Sequence, residues 1–203
     1  MHYKISKRLI FLQIFLIFIF PVFLLYFKIL PLDWRILVLA LSALFIYGII
    51  HHEKWSHREM GVRHDNIKKS LPYYLFFTTL GVAFLFLIDY KVRMPDIDTV
   101  RFFVKTWLLF LPISFFQEFA FRSFLIPRLK LLFNNQYLIV LVNAILFTFI
   151  HIIYPNLGIG IPLAFISGLF FAWIYLRYPN LLLVFISHAI LNLTAVLLGF
   201  FHI

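Results

Sequence analysis

Residues 102–126 read FFVKTWLLFLPISFFQEFAFRSFLI. The run is long and apolar enough to cross a bilayer, whose hydrocarbon core takes about 20 helical residues. Yet Gln117, Glu118 and Arg122 sit well inside it. Ionisable groups at that depth are costly unless paired or wet, and they face the interior of a bundle. Six further apolar segments are there to build one: 9–27, 35–50, 71–88, 137–154, 159–177 and 180–200. The runs are continuously apolar instead of alternating, which argues against a membrane β-barrel. The expectation is an all-α, polytopic transmembrane bundle of about seven spans, forming one domain over residues 1–203.

Composition agrees. Apolar residues make up 64% of the 203-residue chain and charged residues 13%, with a mean hydropathy of +0.99. Soluble domains hold about 45–50% apolar residues, so a soluble enzyme, a disordered chain and a soluble DNA-binding module are excluded. The first span follows Lys7 and Arg8 but is too long for a signal peptide and lacks a small-residue cleavage site, so it reads as retained. Cysteine is absent, which removes disulfides, thiolate metal sites and cysteine nucleophiles. The net charge of +10 comes from basic residues flanking the spans, where they meet the bilayer's headgroups. It gives no reason to expect nucleic acid. With the N-terminus inside, inner segments hold 11 Lys and Arg and outer segments 6. The bias places the N-terminus in the cytoplasm, and the expected location is a prokaryotic cytoplasmic membrane.

The polar residues within spans fall at helical spacing. Ser114, Glu118 and Arg122 lie at i, i+4, i+8, as do Asn143, Phe147 and His151, while His188 and Asn192 are i, i+4. Three polar stripes on apolar helices pack most economically when turned toward one cavity, with Gln117 as a hydrogen-bonding member. Segment six instead carries Ala164, Gly168 and Ala172, a small-residue stripe that lets helices approach closely. His51, His52, Glu53 and His57 do not form a zinc motif, because H-E-x-x-H needs histidines at i, i+4. His52 and His57 are about 140° apart around a helix. The stretch from His51 to Ser70 reads as an interfacial polar loop.

The stripes form three ordered motifs. Gln117-Glu118-Phe119-Ala120-Phe121-Arg122 matches E-E-x-x-x-R except at its first position, Phe147-Thr148-Phe149-Ile150-His151 matches F-x-x-x-H, and His188-Ala189-Ile190-Leu191-Asn192 matches H-x-x-x-N. The chain thus resembles the CPBP family of intramembrane endopeptidases, the CAAX proteases and bacteriocin-processing enzymes, with the motif core in 113–192. Met60-Gly61-Val62-Arg63 and Phe165-Ile166-Ser167-Gly168-Leu169 are also similar to recurrent stretches of that family.

The resemblance implies hydrolysis of a peptide bond in a membrane-associated protein or peptide. It gives catalytic roles to Glu118, His151, His188 and Asn192, with Gln117, Arg122 and Phe147 in support. Carried over by position, Gln117 and His151 stand at an activated water, and His188 and Asn192 at the oxyanion. Gln117 stands where the family has a carboxylate, and an amide cannot take the proton. Glu118 and His151 are the substitutes as base. No cofactor is implied; if zinc were bound, Glu118, His151 and His188 would be its ligands. Two other readings exist. A weak or inactive relative would keep the cavity as a scaffold or regulator. A small proton-coupled transporter would use Glu118 and the histidines, although no inverted repeat supports it.

Overall fold

The computed structural model describes residues 5–89, 99–154 and 157–200. Among them every regular element is helical, and the segments join into seven rods. These are α1 (Lys7–Tyr26), α2 (Leu32–His52), α3 (Ile67–Ile88), α4 (99–132), α5 (Gln136–Ile153), α6 (Leu157–Arg177) and α7 (Leu181–Leu197). Five of them (α1, α2, α3, α5 and α6) are long and apolar enough to cross a membrane. The protein is an integral membrane protein. Lys4, Lys91 and Arg93, used above for orientation, lie outside the described residues, as do the side chains of Arg101 and Lys105.

α4 runs further than the sequence suggests, because it changes its winding instead of stopping. Thr99–Glu118 is α-helical, Phe119–Leu125 is π-helical, and Ile126–Leu132 resumes the α-helix. Pro127 supplies the reason: it has no N–H, and its ring would clash with the carbonyl of Ser123 in a regular helix. A π-turn ahead of the proline absorbs that conflict. The same device recurs in α1, where a π-turn at Phe15–Ile19 precedes Pro21.

α5 and α6 pack along their length. A Cβ on Gly168 would lie 3.1 Å from the Ala144 Cα and 3.2 Å from the Phe147 ring, and Ala164 and Ala172 are buried beside it. The small-residue stripe therefore does what its spacing suggests. α7 lies between α3 and α4.

The polar stretch between α2 and α3 is more ordered than an interfacial loop. Its backbone binds three helices: the Ser123 hydroxyl of α4 and the Tyr175 hydroxyl of α6 both donate to the Met60 carbonyl, at 2.6 and 3.1 Å. The Leu181 N–H at the start of α7 donates to the Gly61 carbonyl at 2.8 Å. Gly61 has φ +74°, and any Cβ there would collide with the Tyr175 hydroxyl, so only glycine fits. Glu53 accepts from the buried Arg128 guanidinium at 2.6 Å and from the Trp55 indole at 2.8 Å. The Arg63 guanidinium hydrogen-bonds Asp65 and holds its carboxyl below the ordinary value. This buckle fastens α4, α6 and α7 at the basic face of the bundle.

Candidate active site

The π-turn decides which way motif one points. Glu118 is the last α-helical residue before it and is fully buried. Its Oε1 accepts from His188 Nδ1 at 2.7 Å, and its Oε2 lies 3.2 Å from Arg122 Nε. One carboxylate thus joins the first motif to the third. The Phe121 carbonyl, within the π-turn, accepts from Asn143 Nδ2 at 2.8 Å, so α5 fastens the irregular winding. Asn143 is read above as part of the cavity; it is fully buried in this strut instead.

Arg122 is wholly buried. Its guanidinium stacks 4.7 Å from the Phe147 ring centre and 5.6 Å from that of Phe171. Apart from Glu118, its charge is met by aromatic faces, which attract a desolvated cation. The Glu118 carboxyl is the acidic group beside the Arg122 guanidinium.

His151 sits where α5 tightens into a 3₁₀ turn, Ile150–Ile153. Its Nδ1 is 2.8 Å from the Phe147 carbonyl. A carbonyl only accepts, so Nδ1 carries the proton and Nε2 is left with a free lone pair. By the same reasoning His188 donates from Nδ1 to Glu118. The Phe147 ring lies between the two histidines, 5.1 Å from the His151 ring centre and 5.6 Å from that of His188. On the next turn of α7, Asn192 Nδ2 donates to Ser114 Oγ at 3.0 Å, and Ser114 is fully buried.

His151, His188 and Asn192 line one cavity of about 320 Å³ between α3, α5, α6 and α7. Its other walls are apolar, with Phe77, Phe84, Leu163 and Leu191 among them, and Ser167 adds one hydroxyl. The lining comes from the later part of α3, α5 and α7 and the earlier part of α6. The cavity therefore occupies the half of the bundle away from the basic face. Glu118 and Arg122 lie behind this wall and act on it through His188 and Phe147.

Gln117 departs from expectation. It lines a second, smaller cavity of about 80 Å³ with Arg35, Ser42, Ile150 and Tyr154. Neighbouring helix positions point about 100° apart, so with Glu118 aimed at His188 the amide turns toward α1 and α2. A zinc site on Glu118, His151 and His188 also fits poorly. Both Glu118 oxygens are engaged by His188 and Arg122. Among the described residues no three His, Cys, Asp or Glu side chains gather as metal ligands.

Residues 99–194 match the family described as type II CAAX prenyl endopeptidase Rce1-like. The chain carries a CPBP-type, Rce1-like domain. That stretch holds all three motifs and the helices that surround the cavity of His151, His188 and Asn192, save α3. No curated protein and no solved structure gives a match. Within the Rce1-like domain, sequence reasoning set Ser114 on the polar stripe but could not pair it with Asn192 across two helices. Ser167 entered only as part of a family-like stretch; a lone hydroxyl beside Gly168 on an apolar helix was the available signal.

Proposed function

We propose that the protein is an intramembrane endopeptidase that hydrolyses a peptide bond of a membrane-associated protein or peptide. The observation that carries this reading is the meeting of His151, the Glu118–His188 pair and Asn192 at one apolar cavity. His151 takes a proton from water through Nε2, its other nitrogen being held by the Phe147 carbonyl. The hydroxide so formed attacks the scissile carbonyl. Asn192, oriented by Ser114, offers an N–H to the oxyanion, and His188 offers one from Nε2 when its ring, held at Nδ1 by the Glu118 carboxylate, carries a proton on both nitrogens. The proton on His151 then passes to the leaving amine, which returns the site to its starting state. Low dielectric strengthens each of these contacts. With the N-terminus inside, the cleaved bond lies in the outer half of the membrane.

Comparing the proteomes of membranes with and without the protein tests this reading. An uncleaved precursor accumulating without it, and processed again on its return but not on return of His151→Ala, is the expected result. Restoration by His151→Ala would refute hydrolysis. Cleavage by the purified protein is expected to survive exhaustive chelation, since the described residues offer no three-ligand site. Loss of activity restored by zinc would overturn that expectation.

The scaffold reading draws on Gln117, which stands in place of a motif carboxylate. The smaller cavity suggests a different outcome from simple loss of the base. Gln117→Glu is expected to leave cleavage within about threefold of wild type, because position 117 faces Ile150 and Tyr154 instead of His188. A gain of about 10²-fold, the lower end of what a positioned base contributes, would show that this position reaches the water after all. Side-by-side cleavage assays of one membrane peptide decide it.

A further inference from the structure

We infer that Ser167 binds the substrate backbone: its hydroxyl oxygen accepts an N–H of the peptide beside the scissile bond. This rests on the endopeptidase reading and adds to it a residue that holds the substrate chain. The polar residues lining the cavity are His151, His188, Asn192 and Ser167. The first three have partners. His151 Nδ1 is held by the Phe147 carbonyl, His188 Nδ1 by Glu118, and the Asn192 amide by Ser114.

Ser167 differs. A hydroxyl on a membrane helix can bond back to the carbonyl four residues earlier. Thr78, Thr148 and Thr194 do so at 2.7, 2.8 and 2.9 Å. Among the described residues the Ser167 hydroxyl has no hydrogen-bond partner, and it faces the cavity. An unpaired hydroxyl in an apolar wall is costly, which suits a group awaiting a ligand.

The ligand's chemistry follows from hydrolysis within a membrane. A peptide must be extended at the bond to be cut, so its N–H groups there lose their helical partners, and the bilayer offers none in exchange. The histidine and asparagine donors serve the scissile carbonyl. Among the described residues outside those motifs, Ser167 is the one hydroxyl or amide lining the cavity, and the side chains of Phe77, Ile166 and Phe170 around it accept nothing. Position is secured next door: the close approach of Gly168 to Ala144 fixes this turn of α6 against α5.

The test uses a synthetic apolar transmembrane peptide cleaved by the full-length protein in vesicles, with the cut bond mapped by mass spectrometry. A set of ester analogues replaces, one at a time, the N–H groups flanking that bond. Wild type is expected to lose about tenfold in kcat/KM on one analogue, the effect of a missing buried hydrogen bond. Ser167→Ala should lose about tenfold on the all-amide peptide and nothing more on that analogue, since the two changes remove one contact. Ser167→Thr keeps the hydroxyl and should retain the wild-type rate, and thermal unfolding in detergent should be unmoved by either substitution. Ser167→Ala cleaving the amide peptide within about twofold of wild type, or losses that add across the analogues, would overturn the assignment while leaving the endopeptidase reading intact. If wild type cleaves no more than His151→Ala on any peptide offered, the endopeptidase reading itself fails and the assignment falls with it.

Discussion

Glu118→Gln is expected to lower cleavage by up to about 10⁴-fold, the loss seen when the carboxylate behind a catalytic histidine becomes an amide. It is also expected to cost about 3–5 kcal/mol of stability, because a buried charge loses its partner. Both effects start from one side chain. Oε1 holds His188 Nδ1 at 2.7 Å, and Oε2 faces Arg122 Nε at 3.2 Å. A glutamine can turn only one oxygen toward these two donors. If its NH2 meets His188, Nδ1 must accept instead of donate, and the ring can no longer carry protons on both nitrogens. If its oxygen meets His188, Arg122 faces an amine group in a dry interior. The double variant Glu118→Gln/Arg122→Met separates the roles. Removing both charges of a buried pair is often neutral for stability, so the melting temperature should recover while cleavage stays low. Recovery of both would make Glu118 only the structural partner of Arg122.

The seven rods were legible in the sequence because membrane spans are set by length and hydropathy. Their polar stripes were legible because a helix keeps its period. What could not be read was local winding. Glu118 and Gln117 are adjacent, and which of them meets α7 depends on the path of the backbone around Phe119–Leu125. Pro127 signalled a disturbance but not its form, since a proline is met by a kink or by a π-turn. Asn143 illustrates the same limit. Its place on the stripe with His151 was right, yet its amide is drawn to a carbonyl exposed by the π-turn. Pairings between distant residues, such as Asn192 with Ser114, leave no trace in spacing. The stretch after α2 reads as an interfacial polar loop, and its hold on the helices could not be read because it runs through the backbone carbonyls of Met60 and Gly61. Those groups exist in every sequence, so Gly61 was its only local mark.

His151→Ala should remove the base and lower kcat by about 10²- to 10⁴-fold, the usual worth of a positioned general base. KM should change little, because the imidazole acts on water and not on the peptide. Stability should stay within about 1 kcal/mol of wild type. His151 makes one hydrogen bond, to the Phe147 carbonyl, and borders a cavity that already has free volume. That free volume allows a sharper measurement than loss alone. Added imidazole can enter the space left beside Phe147 and present a lone pair where Nε2 stood. Cleavage by His151→Ala should therefore rise with imidazole concentration, while His188→Ala should not respond, because its loss also strands the Glu118 carboxylate. A His151→Ala protein that cleaves within about fivefold of wild type would move the base elsewhere. Rescue of the His188 variant instead would exchange the roles of the two histidines. An effect confined to KM would make His151 a substrate-binding group, leaving the water to be activated from the side of Gln117.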